Sequence, residues 1–293
     1  MSYRVTHRTE YRYESEVTSS YGLVHLLPRD LNGQVTSSSQ LTIVPEPDDA
    51  REHTDFFGNR VLHFAILRPH LELSVTAESV VDVSGRQQTL PLLAEEPWEM
   101  ARDALVDSVV PEDLEARQFV LDSPQVTITP RIAAYAAPSF PEGRPLLDAV
   151  AHLMGRIHED FEFSPGVTTV TTTADTLLDE RAGVCQDFAH LMIGCLRSLG
   201  LAARYVSGYL ETRPPPGKAK LVGADVSHAW TSVFVPGQGW LDLDPTNDQL
   251  VGDRYVTVGW GRDYTDVPPL KGVIFTAGES NKLRVQVDVV PVD

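Results

Sequence analysis

The first part of the chain alternates between apolar and polar positions, as strands do when they bury one face. Between residues 3 and 13, tyrosine, valine, histidine and threonine occupy the odd positions, and mainly arginine, threonine and glutamate the even ones. The segments 71–78 and 283–289 repeat this period of two. Together with turn residues at 45–47 and 58–59, the pattern predicts an antiparallel β-sandwich-like domain of about one hundred residues at the N-terminus and a final strand at the C-terminus.

Further along the chain the apolar residues recur at intervals of three and four instead. Over 145–163 this pattern predicts an amphipathic helix with Pro145 in its first turn. A second amphipathic helix is expected from Cys185 to Gly200. The segment 91–140, which predicts short helices and then a proline-rich connection, joins these helices to the strands.

Strands follow the second helix, at 203–210, 228–235 and 240–244, and a proline–glycine turn joins the last two of these into a hairpin. A helix followed by hairpin-linked strands is typical of an α+β fold. We therefore predict two domains, a β-rich domain with a short helical connection over 1–140 and a second domain over 141–293.

Composition narrows the class of protein. The 293 residues are 42% hydrophobic, which is sufficient for a packed core, and 22% charged. The N-terminus shows no apolar stretch typical of a secretory signal, and no segment approaches the ~18 apolar residues that a membrane span needs. These features predict a protein that does not enter a membrane and that resides in the cytoplasm.

The charge balance argues against nucleic acid as a partner. The chain carries 41 acidic and 24 basic residues, a net charge of −17. Phosphate binding requires clustered lysine and arginine, so no nucleic-acid partner is expected. A basic polypeptide would suit such a surface, but acidic surfaces also keep proteins soluble, and we favour this simpler explanation.

The two cysteines are expected to be free thiols. Cys185 and Cys195 are ten residues apart, or roughly 15 Å along a helix, whereas a disulfide needs Cα atoms within about 7 Å. Free thiols fit a reducing compartment. The chain contains neither a His-Glu-x-x-His nor a Cys-x-x-Cys motif, so we expect no metal and no other cofactor.

Cys185 has the position of a nucleophile. Gly183 interrupts the chain just before it, and an amphipathic helix begins just after it. The positive end of the helix dipole favours the thiolate, which is the nucleophilic form. A small buried core residue is the alternative, and only partner residues elsewhere in the chain can decide between the two.

A thiolate enzyme also needs an imidazole and a group that orients the imidazole. His228 begins one predicted strand, and Asp244 ends the next strand of the same hairpin, 16 residues later. Adjacent strands lie about 4.8 Å apart, so the two side chains can meet. Asp242 has the same parity as Asp244 and remains an alternative on this ground alone. His190 is five residues beyond Cys185 and points about 140° away from it on a helix, so it is a poor candidate.

Three ordered motifs carry a resemblance to a known family: Gly183-Val-Cys-Gln186, His228-Ala-Trp230 and Gly239-Trp-Leu-Asp-Leu-Asp-Pro-Thr-Asn247. The chain resembles the transglutaminase-like superfamily, and within it the bacterial branch that is provisionally described as cysteine proteases with an N-terminal β domain. The resemblance implies a papain-like catalytic core over 141–293, with a helix-borne cysteine packed on an antiparallel sheet. It also implies a triad of Cys185, His228 and Asp244, because the aspartate of the family pattern stands four residues after the tryptophan.

The resemblance implies a thiol-dependent acyl-transfer enzyme, which we expect to be a cysteine protease or amidase that cleaves peptide or isopeptide amides. A protein-glutamine transglutaminase or deamidase is one alternative, and a non-catalytic peptide-binding module with a vestigial triad is another. A peptide or protein is the expected partner, and the oligomeric state is left open. The Cys185 N–H is expected to stabilise the oxyanion together with a second donor that the sequence does not identify.

Four further residues are candidates for substrate contacts. Trp230 and Trp240 could wall the site and exclude water, although core packing explains such aromatic residues at least as well. Asp263 and Tyr264 could rim the cleft from a polar loop, and the alternative is a solvated loop tied down by its own aspartate side chains. Ser232 departs from the family pattern, because many members carry an acidic residue there, so a substrate contact or local salt bridge could be missing.

Overall fold

The computed structural model describes residues 1–85, 96–212, 225–278 and 280–292. Within these ranges an antiparallel sheet comes first, a group of helices follows, and a second antiparallel sheet comes next, before the chain returns to the first sheet. The α+β class predicted from the sequence is confirmed. The first residues of the predicted helical connection lie outside the described part.

The first sheet is built around one long strand. Its strands before the helices are β1 (Ser2–Val24), β2 (Val35–Val44), β3 (Asp49–Thr54), β4 (Arg60–Ile66) and β5 (His70–Asp82). The first half of β1 pairs mainly with β5 and its last residues pair with β4, so β1 divides the sheet into two halves. The apolar faces of these halves pack together, which is the sandwich-like arrangement that the period of two predicts.

In the described residues after β5, six α-helices and two short strands come next. They are α1 (Trp98–Asp107), α2 (Pro111–Ala116), α3 (Pro130–Ala136), α4 (Leu146–Asp160), β6 (Glu162–Phe163), α5 (Ala174–Glu180), β7 (Ala182–Gly183) and α6 (Cys185–Ser198). The apolar stripes of α4 and α6 form the centre of the largest core, which also includes Trp98 and Ile132 from the helical connection. Strands β6 and β7 pair in parallel and hold the chain just before Cys185.

The second sheet lies against α6. It consists of β8 (Ala203–Leu210), β9 (Ser227–Val235), β10 (Gly239–Asp244), β11 (Gln249–Leu250) and β12 (Tyr255–Gly261), in the order β11-β10-β9-β8-β12. The Thr231 hydroxyl on β9 donates to the Ala189 carbonyl of α6 at 3.2 Å. The expected arrangement, a helix-borne cysteine packed on an antiparallel sheet, is confirmed.

The last two strands return to the first sheet. Both β13 (Leu270–Thr276) and β14 (Asn281–Val292) pair with β1. The division predicted at residue 140 groups them with the second domain, whereas their hydrogen bonds lie in the N-terminal sheet. An apolar interface joins the two sheets, formed by Tyr3, Val5, Val81, Val83, Val287 and Val289 against Tyr209, Val256 and Val258. None of the described helices combines the length and the apolar composition needed to cross a membrane.

Candidate active site

Cys185 is the first residue of α6, and its side chain is half-buried. The preceding residue, Val184, is in an extended conformation and caps the helix. The Asp187 carboxylate accepts hydrogen bonds from the Val184 N–H at 2.9 Å and from the Thr168 hydroxyl at 2.6 Å. These contacts fix the first turn of the helix and thereby the position of the thiol.

The His228 imidazole connects the thiol with a carboxylate. Its Nε2 lies 2.7 Å from Oδ2 of Asp244, and the Cys185 thiol is a second hydrogen-bonding partner. Burial disfavours the imidazolium, but the hydrogen bonds and negative charges of Asp244 and Cys185 outweigh it and raise the pKa of His228 to about 10. Because Nε2 faces the carboxylate, Nδ1 is the nitrogen that can exchange a proton with the thiol.

Asp244 is fully buried, and both of its oxygens accept hydrogen bonds. Oδ2 accepts from His228, from the Tyr255 hydroxyl at 2.6 Å and from the Asn247 amide at 2.7 Å. Oδ1 accepts from the backbone N–H groups of Thr246 at 2.9 Å and Asn247 at 3.3 Å. Burial alone would raise the pKa of Asp244, but these hydrogen bonds lower it below the ordinary value. The carboxylate beside the imidazole is therefore ionised and fixed in orientation.

Sequence reasoning missed two members of this network. Asn247 stands inside the Asp-Pro-Thr-Asn motif that follows β10, so that motif was the available signal. Tyr255 begins the edge strand β12, far from β10 in the sheet order, and no local pattern marks it. Its hydroxyl also accepts a hydrogen bond from the Gln249 amide. Tyr255 and Asn247 therefore stabilise the carboxylate that orients His228.

The two predicted tryptophans occupy different places from each other. Trp230 is fully buried behind His228, with ring centroids 6.2 Å apart, and packs edge-on against Tyr255 at 5.4 Å. Trp240 lies at the opposite end of the β9–β10 hairpin, where the Arg204 guanidinium stacks on its ring at 4.0 Å. Both positions match the packing role that the sequence left as the alternative, and the triad end of the hairpin does not include Trp240.

The loop after β12 is held in place by hydrogen bonds to one of its own side chains, Asp263. Asp263 is fully buried, and its Oδ1 accepts hydrogen bonds from the Thr265 N–H at 2.8 Å and hydroxyl at 2.6 Å, while Oδ2 accepts one from the Gln125 N–H at 2.8 Å. Asp263 thus has the loop-stabilising role that the sequence kept as an alternative to substrate binding. Tyr264 is half-buried and donates its N–H to Nε2 of His190 at 3.2 Å. His190 therefore contacts this loop.

The assembled site can perform nucleophilic chemistry on a carbonyl group. A thiol, an imidazole and a carboxylate lie in series, so a proton can pass from the thiol to an imidazole whose cation Asp244 stabilises. The start of α6 also leaves its first N–H groups without partners inside the helix, which suits the Cys185 N–H to bind an oxyanion. In the described parts of the chain, histidine, cysteine and acidic side chains form no group of three or more that could hold a metal ion.

Comparison with known proteins places this geometry in a family. The family model of the bacterial transglutaminase-like N-terminal region matches residues 3–82, and that of the transglutaminase-like superfamily matches residues 134–245, which include all three residues of the series. An uncharacterized protein of Mycobacterium tuberculosis is 50% identical over 297 aligned residues, which cover 99% of this chain and 92% of that protein. The chain belongs to the transglutaminase-like superfamily.

Two further proteins are similar to this member of the superfamily. A protein-glutamine gamma-glutamyltransferase of Pseudomonas aeruginosa is 40% identical over 101 residues, which are 33% of this chain and 15% of that protein. The crystal structure of a Cytophaga hutchinsonii protein, provisionally described as a cysteine protease, superposes with a TM-score of 0.73 at 20% identity and covers 100% of this chain and 92% of that chain. The superposition shows a common fold and confirms the architecture expected from the resemblance.

Proposed function

We propose that this protein is a thiol-dependent acyl-transfer enzyme that acts as a protease or amidase on peptide or isopeptide amides. The observation that carries the proposal is the hydrogen-bonded series from Cys185 through His228 to the buried, ionised Asp244. Membership of the transglutaminase-like superfamily supports it. In this proposal Cys185 is the nucleophile, His228 the general acid and base, and Asp244 the residue that orients the imidazole.

The reaction proceeds through an acyl-enzyme. The Cys185 thiolate attacks the carbonyl carbon of the amide, and the Cys185 N–H donates to the oxyanion that forms. His228 then gives its Nδ1 proton to the leaving amine or ammonia, and the C–N bond breaks. Water, deprotonated by His228, attacks the thioester in the second half-reaction and releases the acid and the free thiol.

Glutamyl transfer is the second candidate function. A stretch of 101 residues is 40% identical to a protein named a protein-glutamine gamma-glutamyltransferase, and such an enzyme would form the same thioester. The two reactions differ only in the acceptor, since a primary amine would replace water in the second half-reaction. Deamidation of a glutamine side chain is the case in which water is the acceptor for this substrate.

A mass-spectrometric assay tests the proposal and separates the alternatives. A glutamine-containing peptide and an isotope-labelled primary amine are incubated with the wild type, with Cys185→Ala and with Cys195→Ala, whose thiol is fully buried and serves as the matched control. We expect hydrolysed peptide as the main product with the wild type and Cys195→Ala, and none with Cys185→Ala. Amine adducts in clear excess would establish glutamyl transfer instead. Peptide binding with no product that depends on Cys185 would indicate a non-catalytic module.

A further inference from the structure

Strand β14 forms one margin of the N-terminal sheet, and part of it has an unpaired edge. One side of β14 pairs with β1. Among the described residues, none pairs with the other side between Asn281 and Gln286, and the residues from 281 to 285 are exposed. We call this side of residues 281–286 the outer edge. The unpaired N–H and C=O groups of an edge strand are a template for pairing with another polypeptide.

The outer edge continues a strand contact that leads to the triad. The Asp225 N–H donates to the Val287 carbonyl at 3.1 Å, and the Asp225 carboxylate accepts a hydrogen bond from the Val289 N–H at 2.7 Å. Asp225 stands three residues before His228, so at most about 11 Å separate the Cα atoms of these two residues. The outer edge therefore begins beside the segment that leads into β9 and its imidazole.

The same two hydrogen bonds show which backbone groups face the outer edge. In an antiparallel sheet the N–H and C=O of one residue point to the same side, and successive residues alternate. Because Val287 and Val289 direct these groups away from β1, Val285 and Leu283 do so as well. Pro291, which has no N–H, occupies the same set of positions. The outer edge thus presents the backbone donors and acceptors of Leu283 and Val285.

The two faces beside the outer edge differ in chemistry. On one face the side chains of Leu283 and Val285 are 55% and 47% exposed, and the half-buried Tyr11 lies opposite Leu283 in the register. On the other face Lys282 and Arg284 are exposed, and neither forms an ion pair with a described residue. A strand added at the outer edge would have one row of side chains beside apolar groups and the other row beside two cations.

We propose that the outer edge binds the polypeptide substrate by strand addition and selects an extended segment in which apolar and acidic side chains alternate. This inference rests on the proposed function, which it deepens by naming a substrate class. The apolar residues of the segment cover Leu283 and Val285. Its acidic residues lie beside Lys282 and Arg284, whose charge they complement. Beyond this segment the substrate follows the start of β9 to the thiol.

Peptides that differ only in one segment test the strand addition. Each has a glutamine and, on either side of it in turn, a spacer of roughly six residues that spans the distance from the triad to the outer edge. The segment beyond the spacer is glycine–serine in the parent and three repeats of Val-Glu in the test peptide. We expect Val-Glu to raise kcat/KM about tenfold, mainly through a lower KM, because the gain from hydrogen bonds and apolar contacts is partly offset by ordering of the peptide. A Val-Lys segment should give no gain.

Methylation of the peptide backbone shows whether the gain comes from strand pairing. N-methylation of the valines removes the N–H groups that antiparallel pairing would direct at β14, and N-methylation of the glutamates removes those that parallel pairing would direct there. The side chains are the same in both peptides. We expect one of the two methylations to abolish the gain and the other to retain it. A gain that survives both would contradict strand addition.

Substitutions on β14 locate the effect. Val285→Pro removes an N–H that points to the outer edge and leaves the pairing with β1 intact, as Pro291 does in the native strand, whereas Val285→Ala keeps the N–H. We expect Val285→Pro to abolish the gain and Val285→Ala to keep most of it. Lys282→Glu combined with Arg284→Glu should shift the preference from Val-Glu to Val-Lys, and it keeps the test decisive if Val285→Pro does not fold. Lys271→Glu, at an exposed position of β13, is the control and should leave the preference for Val-Glu unchanged.

The outcomes separate this inference from the proposed function. Activity that depends on Cys185, with equal kcat/KM for the parent and the Val-Glu peptide, would overturn the strand-addition site and leave the enzyme assignment intact. A wild-type dimer that Val285→Pro converts to a monomer in analytical ultracentrifugation would overturn it as well, by assigning the outer edge to a second copy of the chain. No activity that depends on Cys185 toward any of the peptides would overturn the proposed function, and the substrate site would fall with it.

Discussion

The two ends of the β9–β10 hairpin are built from the same two strands and differ in almost every other respect. At one end His228 and Asp244 lie side by side, and Asp244 is fully buried with five hydrogen bonds. At the other end Trp240 is stacked by Arg204 at 4.0 Å and contacts Phe119 edge-on at 5.2 Å. The first end is a buried polar network and the second an aromatic cluster.

The difference shows which end can carry chemistry. Burial of a charged carboxylate costs free energy unless the carboxylate is fully hydrogen-bonded. The hydrogen bonds that the buried Asp244 therefore needs also hold the side chains at this end in one orientation. An aromatic cluster stabilises the fold through burial of apolar surface and needs no further role. We therefore expect substitutions at the triad end to reduce activity and substitutions at the aromatic end to reduce stability.

The largest effect should follow the substitution Asp244→Asn. Asparagine preserves the shape but removes the charge that stabilises the His228 imidazolium, and its amide favours the wrong tautomer of the imidazole. We expect kcat/KM to fall roughly 10³- to 10⁴-fold, in line with the equivalent change in a serine-protease triad. Peptide hydrolysis measured on folded protein, checked by circular dichroism, tests this. A decrease in kcat/KM of less than tenfold would show that Asp244 does not have the proposed role in catalysis.

Substitution at the opposite end should have the reverse outcome. Trp240→Ala removes a half-buried aromatic side chain and its stacking with Arg204. We expect the free energy of unfolding to fall by about 2–3 kcal/mol, somewhat less than for a fully buried tryptophan, with kcat/KM changed less than about threefold. Urea denaturation and kinetics on the same preparation check both parts. A large loss of activity without a loss of stability would indicate that Trp240 contacts the substrate.

Tyr255→Phe should give a smaller effect at the triad end. It removes one donor to Asp244 and leaves the other four hydrogen bonds in place. A hydrogen bond to a charged group contributes about 1.5–3 kcal/mol, and only part of this should reach the transition state. We expect kcat/KM to fall about tenfold, and a loss as large as that of Asp244→Asn would mean that Tyr255 has a more direct role.

The smallest effect concerns pH and stability. The folded-state pKa of His228 is about 10, above the ordinary 6.5. The protonated imidazole therefore contributes its full stabilisation to the free energy of unfolding below about pH 6.5, and this stabilisation is lost as the pH rises towards 10. The difference in free energy of unfolding between the wild type and His228→Gln should therefore shrink over this range. Urea denaturation at a series of pH values measures it, and a difference that grows with pH would contradict the assignment.

The sequence was sufficient to predict the core of the site because each triad residue is marked locally. Cys185 comes two residues after Gly183 and begins a helix, and His228 and Asp244 lie at strand ends that a hairpin brings together. Hairpin geometry alone could not decide whether Asp242 or Asp244 is the partner of His228. The family pattern predicts Asp244, and this residue accepts the hydrogen bond from His228.

The rest depends on contacts that are distant in sequence. Tyr255 reaches Asp244 from the edge strand β12, and β14 pairs with β1 from the other end of the chain. The alternation over 283–289 predicted a strand but not the sheet that it joins, and only Val287 and Val289 of that run are buried. Long-range pairing of this kind leaves no periodic signal in a single sequence.

Selective alkylation of the two thiols tests the central claim most directly. Cys195 is fully buried, and burial raises its pKa, so it serves as an internal control within the folded protein. Iodoacetamide labelling is followed by peptide mass spectrometry from about pH 5 to 10, in the wild type and in His228→Gln. The account predicts that Cys185 is labelled much faster in the wild type than in His228→Gln, and that Cys195 stays unlabelled in both proteins. If Cys185 were labelled at the same rate in both proteins, the claim of a nucleophile activated by His228 would be contradicted.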